Sequence, residues 1–176
     1  IDMIAIVGSV VSIVFPMQIT QAIARFYPGE KNRNEAIKMA STALFFTVFV
    51  CGVFVSSALL FSKPLSQLLL GVEIESAIFQ IACLSISLQT LFYFVQNQLK
   101  WRQESLKYAV SSLTYSLLTI GFSVLFVLIW EQGVVGVFKA QVIAGAVSFL
   151  LAFFFGKSSY SFVVYKSKLK FMLGYS

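Results

Sequence analysis

The chain has 176 residues, of which 59% are hydrophobic and only 11% charged, with a net charge of +6. A typical soluble domain carries about 25% charged residues, so so few charges leave most of this surface without a water-facing cover. The same numbers exclude a disordered chain, a collagen-like repeat and a disulfide scaffold, and leave a polytopic membrane protein.

Charged residues mark the segment ends. Uncharged runs of 22, 24, 24, 23 and 17 residues separate Asp2 from Arg25, Lys38 from Lys63, Glu75 from Lys100, Lys107 from Glu131, and Lys139 from Lys157. The last belongs to a longer apolar run, opening near Gly133, that Lys139 alone interrupts. A helix needs about 20 apolar residues to cross the hydrocarbon, and helices satisfy their own backbone there. The spacing predicts an all-α bundle with five spans, at 3–26, 39–62, 76–98, 108–130 and 135–156, and a sixth opening at 171. The chain opens at Ile1 inside an apolar run and stops at Ser176 as another opens, so it is expected to be a fragment of a longer protein.

In span one, Pro16 should kink the helix by removing a backbone donor. Gln18, Gln21 and Arg25 gather near its inner end. In span three, Ser76, Gln80, Cys83, Ser87, Thr90, Phe94 and Asn97 alternate at spacings of four and three, which puts them on one helix face. Span four repeats the pattern with Ser112, Ser116, Thr119 and Ser123. Polar groups facing lipid are costly, so these faces should point inward, either to hydrogen-bond between helices or to line a water-filled cavity. Span five carries Gly136, Ala140, Ala144, Ser148, Ala152 and Gly156 at every fourth position, a stripe that suits close helix packing.

The connections 27–38, 99–107 and 157–170, with Arg25 at the edge of the first, hold nearly all the Lys and Arg; the others hold Lys63 and, at the edge of span five, Lys139. By the positive-inside rule the basic connections face the cytoplasm, and Trp101 and Trp130 suit the interfaces. This rule accounts for the basic charge without a nucleic-acid partner. Lys166, Lys168 and Lys170 could also touch anionic headgroups. Arg25 and Lys139 have two readings, snorkelling to the headgroups or binding an anionic substrate group.

The chemistry inventory is thin. There is no His, and Cys51 and Cys83 lie mid-span, so no His-based triad or His/Cys metal site is expected. Asp2, Glu30, Glu35, Glu73, Glu75, Glu104 and Glu131 fall at span ends or in connections, so no proton relay is expected inside the spans. No phosphate-cradling glycine loop is present. An enzyme is disfavoured and no cofactor is expected.

The stretch Gln18-Ile19-Thr20-Gln21-Ala22-Ile23-Ala24-Arg25-Phe26-Tyr27, followed by a short charged loop, resembles the end of the second membrane helix in polysaccharide biosynthesis proteins. These are the O-antigen and capsule oligosaccharide flippases of the multidrug/oligosaccharidyl-lipid/polysaccharide exporter superfamily. The stretch from Lys166 to Ser176 resembles the lead-in to their seventh helix, and the basic connection with Trp101-Arg102 and Lys107-Tyr108 also fits. The resemblance implies helices two to six and the start of seven, most of the N-terminal lobe of a two-lobe transporter. It implies translocation of a polyprenyl-pyrophosphate-linked oligosaccharide across the bacterial inner membrane, with membrane lipids and the polysaccharide polymerase machinery as further partners. On it, Arg25 with Gln18 and Gln21 would guide the pyrophosphate, Gln80, Ser87, Thr90 and Asn97 would bond the sugars, and Lys139 would offer a second cation. Three alternatives stay open: a drug/cation antiporter of the same superfamily, a flippase for lipid-linked peptidoglycan precursors, and a membrane scaffold subunit that transports nothing.

Overall fold

The computed structural model describes residues 23–25, 27, 32–62, 76–161 and 165. Among them the chain is helical, with no strand. Four helices are long and apolar enough to cross a membrane, which gives the chain the character of a multi-pass membrane protein. The expected first span, 3–26, lies outside the described residues apart from Ile23–Arg25, and the span expected from 171 lies wholly outside them.

Helix α1 runs Arg33–Leu60, so it starts at 33 rather than at the expected 39. Charges bound an apolar run, yet they do not stop a helix. Asn32 is extended, and its side-chain oxygen accepts the Asn34 backbone N–H at 3.0 Å, capping one orphan donor. Glu35 then pairs with Lys38 at 2.8 Å across the first turn. Half of the expected connection 27–38 is therefore helix.

Helix α2, Ser76–Trp101, likewise outruns its expected end at 98. Gln103 takes a left-handed φ of 59°. Its N–H bonds the Lys100 carbonyl at 2.9 Å, and the Glu104 N–H bonds the Leu99 carbonyl at 3.0 Å. That pair of bonds is a Schellman termination. It reverses the chain within Arg102–Glu104, and α3 begins at Ser105, so the expected connection 99–107 is largely helical too. Helix α3, Ser105–Val124, passes into a π-helical turn, Leu125–Ile129. Helix α4, Gly133–Gly156, ends in a 3₁₀ turn, Lys157–Ser159.

Helix α2 is the central element, in contact with α1, α3 and α4. Helix α4 lies along α2 and α3, while the α1 backbone runs close to that of α2 and not to those of α3 or α4 among the described residues. Successive helices are antiparallel, so α2 and α4 run the same way. Phe138 packs on the cluster of Phe79 and Cys83. A Cβ added at Gly145 would meet Leu88, and one at Gly156 would meet Val95 and Leu99. The stripe residues Gly136, Ala140, Ala144, Ser148, Ala152 and Gly156 are all buried, which lets α4 approach this closely.

Many hydroxyls lie inside beside the apolar core, and many large apolar side chains lie outside, unlike a water-soluble bundle. Ser41, Thr42, Thr47, Ser85 and Ser111 are buried, while Phe49, Leu60, Leu106, Leu117 and Leu128 are each more than half exposed. The buried Thr42, Thr47 and Ser111 hydroxyls each donate to the carbonyl one turn earlier, at 2.7–2.8 Å. Each thus keeps a partner without needing water. Helix α3 shows the pattern most plainly, since Ser111 is its one buried residue before the π turn. Such a surface suits hydrocarbon.

Candidate functional site

Gln18 and Gln21 lie outside the described residues. Arg25 is exposed in a short helical segment with Ile23, whose side chain joins the core of Phe92, Val95 and Leu99. The face predicted on α2 turns toward α1. Gln80 Nε2 lies 3.4 Å from Ser62 Oγ. Ser87 is buried and donates to the Cys83 carbonyl at 2.9 Å, while the Cys51 thiol of α1 reaches the Ser87 carbonyl at 3.8 Å. Thr90 is half-buried and donates to the Ile86 carbonyl at 2.9 Å. Asn97 is half-buried near the far end of α2. Lys139, half-buried on α4, donates to Gln132 Oε1 at 2.9 Å.

These residues form a row and not a cluster. Gln80 and Asn97 stand about 25 Å apart at 1.5 Å per helical residue, with Lys139 toward the Gln80 end and Arg25 toward the Asn97 end. Beside the row lies a residue that periodicity did not single out. Gln98 is wholly buried, and neither its amide nitrogen nor its amide oxygen has a hydrogen-bond partner. Gln96 is buried as well. Both fall outside the four-and-three spacing that draws the eye to Asn97. A run of three amides, Gln96-Asn97-Gln98, inside one spanning segment was the available signal.

The densest polar constellation sits at the end of the bundle where α1 starts, α2 turns into α3 and α4 ends. The described Lys and Arg residues, Lys139 excepted, gather there: Arg25, Arg33, Lys38, Lys100, Arg102, Lys107 and Lys157. Arg102 organises it. Its Nη1 donates to Ser158 Oγ at 2.9 Å and to Ser159 Oγ at 2.6 Å, and its Nη2 meets Glu104 Oε1 at 2.7 Å. Lys107 closes on the other Glu104 oxygen at 3.0 Å. Past the 3₁₀ turn, the Ser161 N–H bonds Ser41 Oγ at 2.7 Å and the Tyr165 N–H bonds Thr42 Oγ1 at 3.1 Å. The segment after α4 is thus sewn to α1. Tyr160 stacks on Phe153, its ring centroid 5.6 Å away, with its hydroxyl buried and without a partner. Burial, reinforced by nearby Tyr27 and opposed by Arg102, pushes its phenol well above the usual range.

A cavity of about 240 Å³ opens within this constellation, lined by Tyr27, Arg33, Ala36, Ile37, Arg102, Ser158 and Ser159. Among the described residues no group of three His, Cys, Asp or Glu could hold a metal ion. No family model, curated protein or solved structure matches the chain.

Proposed function

We propose that this chain is part of a flippase that moves a polyprenyl-pyrophosphate-linked oligosaccharide across the bacterial inner membrane for surface polysaccharide assembly. The physical problem is a hydrated sugar and a charged diphosphate crossing hydrocarbon. A hydrogen-bonding, cationic interior lowers that cost while the polyprenyl tail stays in the bilayer. The observation that carries the reading is the amide content of the central helix: Gln96 and Gln98 lie buried in a bundle whose outside is apolar, and the Gln98 amide is unpartnered. A buried amide without partners costs about 1–3 kcal/mol. A transporter recovers that cost when the amide meets sugar hydroxyls in another state of its cycle.

In this reading the Gln80, Ser87, Thr90 and Asn97 row binds sugar, and the basic end faces the cytoplasm by the positive-inside rule. The Ser87 and Thr90 hydroxyls donate to their own helix and keep lone pairs that can accept from a sugar. Because α1 covers Ser87, α1 and α2 separate when the row engages substrate, as rocking of packed helices in alternating access allows. Arg25, with Gln18 and Gln21, takes the pyrophosphate as it enters from the cytoplasmic side, and Lys139 receives it toward the opposite side. The resemblance of Gln18–Tyr27 to the oligosaccharide flippases supports the substrate class.

The test is deletion of the full-length gene in its host, followed by assay of polyprenyl-linked oligosaccharide on the cytoplasmic face. The reading expects accumulation with loss of surface polysaccharide, and Arg25→Ala at normal protein abundance should reproduce both. Normal surface polysaccharide without accumulation, in a host lacking a redundant transporter, would overturn it and bring the drug/cation antiporter forward.

A further inference from the structure

The lining of the cavity at the basic end has a definite chemistry. Arg33 comes from the first turn of α1, Arg102 from the α2–α3 turn, and Ser158 and Ser159 from the 3₁₀ turn after α4. Among the described residues its lining includes two guanidinium side chains and no acid. Two carboxylates among the described residues stand near this lining: Glu104 is held by Arg102 Nη2 and Lys107, so Lys107 shares its charge and Arg102 is not fully neutralised, and Glu35, next to Ala36, pairs with Lys38.

The hydrogen-bond directions matter. Ser158 Oγ and Ser159 Oγ both accept from Arg102 Nη1. Each hydroxyl therefore turns its own hydrogen elsewhere, as a donor. Ser159 is 2% exposed, so one donor is fixed within the protein and does not wave in solvent. The Arg33 guanidinium, the charge of Arg102 and the two hydroxyl-bearing serines line one space, a set of groups that matches the oxygens of a phosphate group. Volume narrows the choice. At about 240 Å³ the cavity is smaller than the roughly 300–1,000 Å³ of pockets that enclose whole small molecules. That size suits a phosphate with its water and not the whole of an oligosaccharide.

We propose that the cavity lined by Arg33, Arg102, Ser158 and Ser159 binds a phosphate group, and so clamps the start of α1 to the α2–α3 turn and the end of α4. Two sources share this chemistry, the diester phosphate of an anionic lipid headgroup and free inorganic phosphate. The site does not depend on the flippase reading, since a drug antiporter or a scaffold could carry it equally.

The full-length protein is reconstituted in phosphatidylcholine nanodiscs with and without phosphatidylglycerol. Lipid retention is read by native mass spectrometry, and thermal unfolding is read with and without inorganic phosphate. Arg33→Gln removes an exposed cavity arginine, and Lys100→Gln removes an equal charge at the same end but off the cavity wall. Arg102→Lys keeps the charge and loses the fork that holds Ser158, Ser159 and Glu104 in place around the cavity. Retention of phosphatidylglycerol that falls about tenfold in Arg33→Gln, and little in Lys100→Gln, establishes the site with a lipid source. Stabilisation by inorganic phosphate that Arg33→Gln abolishes establishes it with a free-phosphate source. Arg102→Lys should weaken whichever ligand binds. If Arg33→Gln and Lys100→Gln respond alike to both probes, the attraction is diffuse surface charge and the proposal falls.

Discussion

Gly136 on α4 lies against Phe126 in the π turn so closely that a Cβ at position 136 would stand 2.9 Å from the Phe126 Cβ and 3.1 Å from its carbonyl carbon. Two of the three nearest atoms are backbone, so no side-chain rotation relieves the clash. Gly145 is tight in a milder way, 3.2 Å from Leu88 Cβ, while Gly52 and Gly121 have nothing within 4 Å. Alanine substitutions should therefore rank by position. Gly136→Ala is expected to cost about 1–3 kcal/mol of stability through overpacking, and Gly145→Ala less. Gly52→Ala and Gly121→Ala, on helices, should be neutral or stabilising by about 0.4–1 kcal/mol. Unfolding midpoints of the four variants of the full-length protein in detergent give the ranking. Equal effects at positions 136 and 121 would mean that α4 does not pack against the π turn this tightly.

The Schellman turn after α2 offers a second test. Gln103 holds a φ of 59°, a left-handed conformation that costs a side-chain-bearing residue roughly 1–2 kcal/mol. Its N–H bonds Lys100, and the bond formed by the next residue reaches Leu99, so the conformation is required by the turn. Gln103→Gly should raise stability by about 1 kcal/mol and leave ligand binding intact, because residue 103 does not line the cavity. A fall in the unfolding midpoint would mean that the glutamine side chain does more than suffer the turn.

Gln98 separates stability from function. Its two amide atoms are buried and unpartnered, and orphaned polar groups of this kind cost about 1–3 kcal/mol. Replacing them with an apolar side chain of similar length removes the cost. Gln98→Leu should thus raise the unfolding midpoint while lowering transport of the lipid-linked oligosaccharide, measured as surface polysaccharide in the complemented deletion strain. Higher stability with full transport would make Gln98 a mere packing defect. Lower stability would mean that the amide finds partners in the folded protein.

The existence and order of the helices were legible because lipid demands long apolar runs, and the charge gaps marked those of α1 to α4 within a few residues. Their ends were not legible, for a particular reason. Charges bound an apolar run without ending a helix: Asn32 caps one whose first two turns hold Arg33, Glu35 and Lys38. Lys100 and Trp101 likewise complete α2 before Gln103 turns the chain. The polar face from Gln80 to Asn97 was visible as spacing, because helical period maps directly onto a face. Gln98 was hidden by its neighbour Asn97, and the Arg33–Arg102 cavity was invisible. It joins residues far apart in sequence through the way α4 ends beside the α2–α3 turn, which no local pattern encodes.

Tyr160 supplies the pH test. Its hydroxyl is buried beside Phe153 without a partner, and burial raises its pKa far above the ordinary phenol value of about 10. Below pH 10 the phenol is protonated in folded and unfolded chains alike, so it adds no pH dependence there. Above pH 10 the unfolded chain releases the proton and the folded chain holds it, so stability falls as pH rises. Lysines and other tyrosines also titrate in that range, so the informative quantity is the difference between the parent and Tyr160→Phe. That variant should gain stability at neutral pH by losing an orphaned hydroxyl, about 1–3 kcal/mol. Its advantage over the parent should widen from pH 10 to pH 11. Parallel stability curves for the two proteins across that range would show that the phenol ionises freely when folded, and that its packing against Phe153 does not seal it from water.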